Sequence, residues 1–177
     1  MRWLIDGYNV IRRDPALRDR EAAGLAAGRA AFLGLVARVA RDSRDEFTVV
    51  FDGARRGGPA PAAGRVHVIF SRPPETADDV LIRLARQHGQ GTVLVTSDRT
   101  VRDRGRRAGC VVLHAEEFLD GAAARAVNAT SEVEASEGRD DDDDEEGRRA
   151  DVKRGNPRRL SKAARATRRA LRRLRDR

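Results

Sequence analysis

Three short apolar runs in this chain lead into aspartates: Trp3-Leu4-Ile5-Asp6, Phe47-Thr48-Val49-Val50-Phe51-Asp52, and Thr92-Val93-Leu94-Val95 followed by Thr96-Ser97-Asp98. Runs of this length, rich in β-branched and aromatic residues, form buried strands. Arg65–Phe70 and Cys110–Leu113 add two more. Between them the apolar spacing turns helical. It is clearest from about Glu21 to Arg41, where Leu25, Phe32, Leu33, Leu35, Val36 and Val39 recur. Glu75 to His88, Thr100 to Ala108 and Ala115 to about Ala126 follow, while Pro15 and the segment from Arg55 to Gly64 read as loops. Strands alternating with helices define a three-layer α/β domain on a mostly parallel sheet. Right-handed crossovers then bring the strand ends, and their acids, to one edge, where ligands bind in such sheets.

Charge divides the chain further. Residues 132–146 carry ten acids against one arginine, and residues 148–177 carry fourteen lysines and arginines against two acids. We therefore expect a globular domain over 1–127, an acidic disordered linker over 128–147 and a basic tail over 148–177. Within the tail Leu160, Ala164, Thr167, Leu171 and Leu174 form one stripe of a basic amphipathic helix. A basic tail points to RNA, including ribosomal RNA, and the acidic block could fold back on it. The stripe is too poor in leucine for an anionic membrane. The single cysteine, Cys110, lies in an apolar run and suits a reducing compartment. With no leader-like start and no run of about 18 apolar residues, the expectation is a cytoplasmic protein.

Asp6, Asp52 and Asp98 at strand ends, with Glu75, Asp78 and Asp79 at a helix start, make a convergent set of carboxylates. Gathered within about 5 Å they repel one another, and either a cation or raised pKa values must compensate. Oxygen ligands of this kind select a hard divalent ion such as Mg²⁺ or Mn²⁺, and one or two ions are equally compatible with them. Several of these residues also have a plain structural reading. Thr76 and Asp79 can form a capping box, Asp52-Gly53 can be a turn, and Thr96 and Ser97 can cap the next helix. Asn9 can bind the site or stabilise its own turn, and Tyr8 can stack on a base or pack.

Ile-Asp-Gly-Tyr-Asn-Val-Ile at 5–11, Val-Val-Phe-Asp-Gly at 49–53, Glu-Thr-Ala-Asp at 75–78 and Val-Thr-Ser-Asp at 95–98 resemble, in order, the motifs of the YacP-like NYN domains of the PIN-like nuclease superfamily. The resemblance covers roughly residues 1–120. It implies a PIN-like, Rossmann-like fold and hydrolysis of RNA by a water that a divalent ion activates. Asp6, Asp78 and Asp98 would be the catalytic, metal-binding acids, with Asp79 a further ligand. Asn9, Asp52, Thr96, Ser97 and Glu75 would support the pocket.

Arg55, Arg56, Arg72, Arg99, Arg102, Arg106 and Arg107 flank these motifs and could hold the backbone of a messenger or ribosomal RNA, with the ribosome a possible partner. Two other classes compete with an endoribonuclease. One is an RNA-binding module on the same fold without turnover. The other is a phosphohydrolase of haloacid-dehalogenase type, which would carry a second Asp where this chain has Tyr8.

Overall fold

A computed structural model describes residues 1–41, 43–53, 64–136 and 161–175, the side chains of 126–136 excepted. Its five strands are β1 (Arg2–Asp6), β2 (Glu46–Phe51), β3 (Val66–Phe70), β4 (Thr92–Val95) and β5 (Val111–Leu113). They form one sheet in the order β3-β2-β1-β4-β5, and every pairing is parallel. The helices are α1 (Gly7–Ile11), α2 (Pro15–Ala22), α3 (Leu25–Arg41), α4 (Ala77–His88), α5 (Arg99–Arg107), α6 (Ala115–Ser136) and α7 (Lys162–Arg175).

Strand alternation sorts the core onto two faces. Trp3, Ile5, Phe47, Val49, Phe51, Val93 and Val95 pack with α1, α3, α6 and α7 on one side. Leu4, Val50 and Leu94 point the other way, onto Val80, Leu81 and Ala85 of α4 and Val101 of α5. Trp3 stacks on Phe47 at 5.7 Å, and its indole N–H donates to the buried Asp45 at 3.1 Å. The chain leaves β1 toward β2 and β3, then returns across the sheet to β4 and β5. That reversal puts the topological switch point beside the carboxyl ends of β1 and β4.

Four features depart from the sequence expectation. The sheet is wholly parallel. A one-turn helix, α1, follows β1 directly, with Asp6 as its N-cap. The loop expected around Pro15 is the helix α2, begun by Asp14 as N-cap with proline in its first turn. Gly24, at φ 152°, separates α2 from α3. Finally, α6 runs to Ser136, past the expected end near Ala126, with no proline or glycine between Val127 and Ser136 to stop it. The expected loop at 55–63 and the rest of the acidic linker from residue 137 lie outside the described residues.

The basic helix is docked. Ala170 and Leu174 are fully buried in the larger core, and Leu171 packs at its margin. Leu174 lies directly on α6, because a Cβ added at Gly121 would stand 2.4 Å from its Cδ2. Arg125 donates to the Leu174 carbonyl at 3.4 Å, and Arg173 pairs with Asp45 at 3.4 Å. Of the expected stripe, Leu160 is outside the described residues. Among the described residues no helix is long and apolar enough to cross a membrane.

Candidate active site

A cleft of about 450 Å³ opens at the switch point, lined by Asp6, Tyr8, Asn9, Arg12, Arg13, Asp52, Thr76, Ala77, Asp78 and Asp98. Register explains how two distant segments meet there. Ile5 pairs with Val95 across β1 and β4, so Asp6 and Thr96 leave the sheet side by side. Thr96 donates its hydroxyl to Asp6 Oδ2 at 3.1 Å and accepts from the Asp98 N–H at 3.1 Å. One buried hydroxyl thus fixes the spacing of two acids. Asp6 Oδ1 also accepts from the Asn9 N–H at 3.2 Å, and Asn9 Oδ1 accepts from the Ser97 N–H at 2.8 Å. Asp98 caps α5 through the Val101 N–H at 2.9 Å.

Asp52 Oδ1 accepts from the Ser71 hydroxyl at 2.6 Å and the Ala77 N–H at 3.3 Å. It thereby ties β2 to the start of α4, where Asp78 stands. Gly7 lets β1 turn into α1 against an aromatic wall: a Cβ there would lie 2.3 Å from the Phe51 ring. Burial pushes the Asp6 carboxyl up to about 6. The hydrogen bonds from Asn9 and Thr96 oppose this, and the charges of Asp78 and Asp98 add to it. Asp78 is also raised, first by desolvation and then by Asp98, Asp79 and Asp52, with Arg104 acting against them.

Other expected site residues have local duties. Asp79 completes the capping box with Thr76, accepting from its N–H and hydroxyl at 3.1 and 2.8 Å, which holds its carboxyl below the usual range. Glu75 pairs with Arg83 at 2.9 Å. Ser97 donates to Glu116 at 2.8 Å and accepts from the Ala115 N–H. None of these three lines the cleft. Arg72, Arg99, Arg106 and Arg107 are exposed outside it, with Arg106 paired to Asp103. Arg102 is half-buried, its Nε without a hydrogen-bond partner among the described residues. Arg55 and Arg56 lie outside the described residues. The three histidines do not line the cleft.

Sequence reasoning missed Arg12, Arg13 and Ser71. Arg12 is the C-cap of α1, four residues after Tyr8 and with its N–H donating to the Tyr8 carbonyl at 3.1 Å, so it becomes visible once α1 is known to be a helix; Arg13 follows in the turn beyond it.

A parallel α/β sheet with a carboxylate cleft at its switch point fits the class of PIN-like nuclease folds. The family model for the YacP-like NYN domain matches residues 3–165, and the chain belongs to that PIN-like nuclease family. Among solved structures it is similar to Rae1 (YacP) from Bacillus subtilis, with 28% identity, a TM-score of 0.65 and coverage of 77% of this chain and 83% of that one. A mutant of the same protein gives 25% identity and a TM-score of 0.68, over 80% and 86% of the two chains. A search of curated proteins finds no match.

Proposed function

We propose that the protein is a divalent-metal-dependent endoribonuclease whose reaction centre is the cleft formed by Asp6, Asp78 and Asp98. The observation that carries this reading is a buried carboxylate, Asp6, sharing a cleft with three more acids, Asp52, Asp78 and Asp98. None of the four has an ion-pair partner among the described residues. Four carboxylates in one cleft fit Mg²⁺ or Mn²⁺. Their side chains are not drawn into a closed cage, since no such group of three is found among the described residues. Asp6, Asp78 and Asp98 would hold the ion, which when bound lowers the pKa of an attacking water and offsets charge on the scissile phosphate.

The chain's own groups supply the rest. The Thr96 hydroxyl and the Asn9 amide hold Asp6 rigidly, so little reorganisation is left for the moment of reaction. Asp98 and Asp52 spend one oxygen each on a helix start and keep the other available. Arg12 brings positive charge to the cleft wall, where it can take a phosphate flanking the cut, while Arg13 beside it is paired with Glu116 at 3.2 Å.

The test follows cleavage of a long labelled RNA with Mg²⁺, Mn²⁺ or EDTA, with and without ribosomes. Wild-type protein is expected to cut only with metal. Asp78→Asn should lose at least about a hundredfold in rate, since removing even the groups that orient a metal ligand costs 10–100-fold. Binding without cutting under every condition would instead favour the module without turnover.

The outer face of α7 supports a role in holding RNA or the ribosome. Arg165, Arg168 and Arg169 are exposed there, and the helix holds no acid. Replacing these three with Gln should reduce the slope of log affinity against log salt by about 2, at roughly 0.7 per phosphate contact. An unchanged slope would remove α7 from the RNA interface.

A further inference from the structure

The cleft has a second wall, one without acids, that the cleavage chemistry leaves unused. Tyr8 stands on α1, half-buried, packed against the larger core and lining the cleft. Three groups meet its ring. It packs edge-to-face with Phe51 at 5.1 Å and 64°, and Phe51 stacks on Phe70 at 5.7 Å. Arg29 lies over the Phe70 ring at 5.6 Å and donates to the Tyr8 hydroxyl at 2.8 Å. The Arg12 guanidinium lies over Tyr8 at 5.6 Å from its centroid. Arg12 is exposed, and among the described residues it has no carboxylate partner.

We propose that Tyr8 and Arg12 form a nucleobase seat, in which an unpaired base of the RNA stacks on the Tyr8 ring in exchange for, or beneath, the Arg12 guanidinium. The inference rests on reading the cleft as an RNA site. A ring already held by Phe51 and by the Arg29 hydrogen bond loses little freedom when a base lands on it, and every base offers a π-face. Arg12 is a planar cation that stacks as readily on a base as on tyrosine, or turns to a neighbouring phosphate. Tyr8, Asn9 and Asp6 are close in sequence and line one cleft, so a base seated on Tyr8 sets which phosphate faces the acids. A paired base in a duplex has no free face to offer. The seat therefore selects single-stranded RNA and positions it.

The experiment measures binding of fluorescein-labelled nine-nucleotide RNAs to the full chain in EDTA, using a parent strand, a series with one abasic nucleotide moved along it, and the parent in a perfect duplex. One abasic position should weaken wild-type binding by about 5- to 150-fold, the range carried by one base–aromatic stack. Tyr8→Leu should weaken the parent strand by a similar factor and no longer respond to that abasic position. Tyr8→Phe, which keeps the ring, should stay within about threefold of wild type. Arg12→Ala, at an exposed position, should lower affinity for the parent strand more than for the duplex. Thermal melts establish that each variant is folded.

If Tyr8→Leu and Arg12→Ala both bind the parent strand like wild type, or Tyr8→Leu keeps the full abasic penalty, the seat is excluded. Because the readout is binding, failure of metal-dependent cleavage would remove the nuclease reading alone. Normal loss of cleavage in Asp78→Asn with no dependence on Tyr8 would remove the seat alone.

Discussion

Asp6→Asn should make the metal-free protein more stable at neutral pH while eliminating cleavage. The folded state raises the Asp6 pKa from 3.8 to about 6, mainly through burial. Over that interval the folded chain binds more protons than the unfolded one, so stability falls as pH rises from about 4 to about 6. Below that window Asp6 is protonated in both states and costs nothing. Above it the full penalty is present, on the order of 1–3 kcal/mol from 1.36 kcal/mol per unit. Asparagine is neutral throughout, and its carbonyl can still accept from the Asn9 N–H. Melts in EDTA should show the variant higher by roughly 3–10 °C at pH 7.5 and nearly equal to wild type at pH 4. Mn²⁺ should raise the wild-type midpoint at pH 7.5 and leave the variant unmoved. A variant less stable than wild type at both pH values would contradict this account of the cleft.

Leu174→Ala is expected to cost about 3 kcal/mol, within the 2–5 kcal/mol typical of fully buried leucines. The side chain is 1% exposed and lies on the α6 backbone at Gly121, so its removal opens a cavity that the neighbouring helix cannot close. Urea denaturation should show a lower midpoint and a single transition, with α7 unfolding together with the sheet. An unchanged midpoint would mean that α7 is an independent arm. The effect would be remote from the cleft, and any residual folded protein should retain its metal dependence.

The strands were legible because Phe47–Phe51 and Thr92–Val95 are continuous apolar runs that no other element explains. The convergence of Asp6, Asp52, Asp78 and Asp98 followed from parallel topology alone. Local competition hid the rest. Glu75 lies in the same motif as Asp78 and Asp79 directly follows it, but an arginine pair and a capping box claim them, and only rotamers decide that. A one-turn helix is too short to show a period, which concealed α1 and with it Arg12. The core role of α7 was hidden by charge. Its arginines dominate the composition; Leu174 stood on the expected stripe, but the equally buried Ala170 did not, and no sequence pattern showed that the stripe docks on this chain's own core.

The hydrogen bonds that set the acids in place join residues 90 apart, Asp6 to Thr96, and 88 apart, Asn9 to Ser97. Near Asp6 in sequence only the Asn9 N–H orients its carboxylate, and the rest of its setting comes from distant segments. Its strand sits at the middle of the sheet, and both flanking partners must be synthesised and docked first. Parallel pairings over such distances form slowly, because loop closure precedes any gain from contact. A nascent or half-folded chain therefore holds its acids apart in water, with no cleft. Whatever chemistry the cleft performs therefore waits on long-range strand pairing, because its acids are brought together only by the complete sheet.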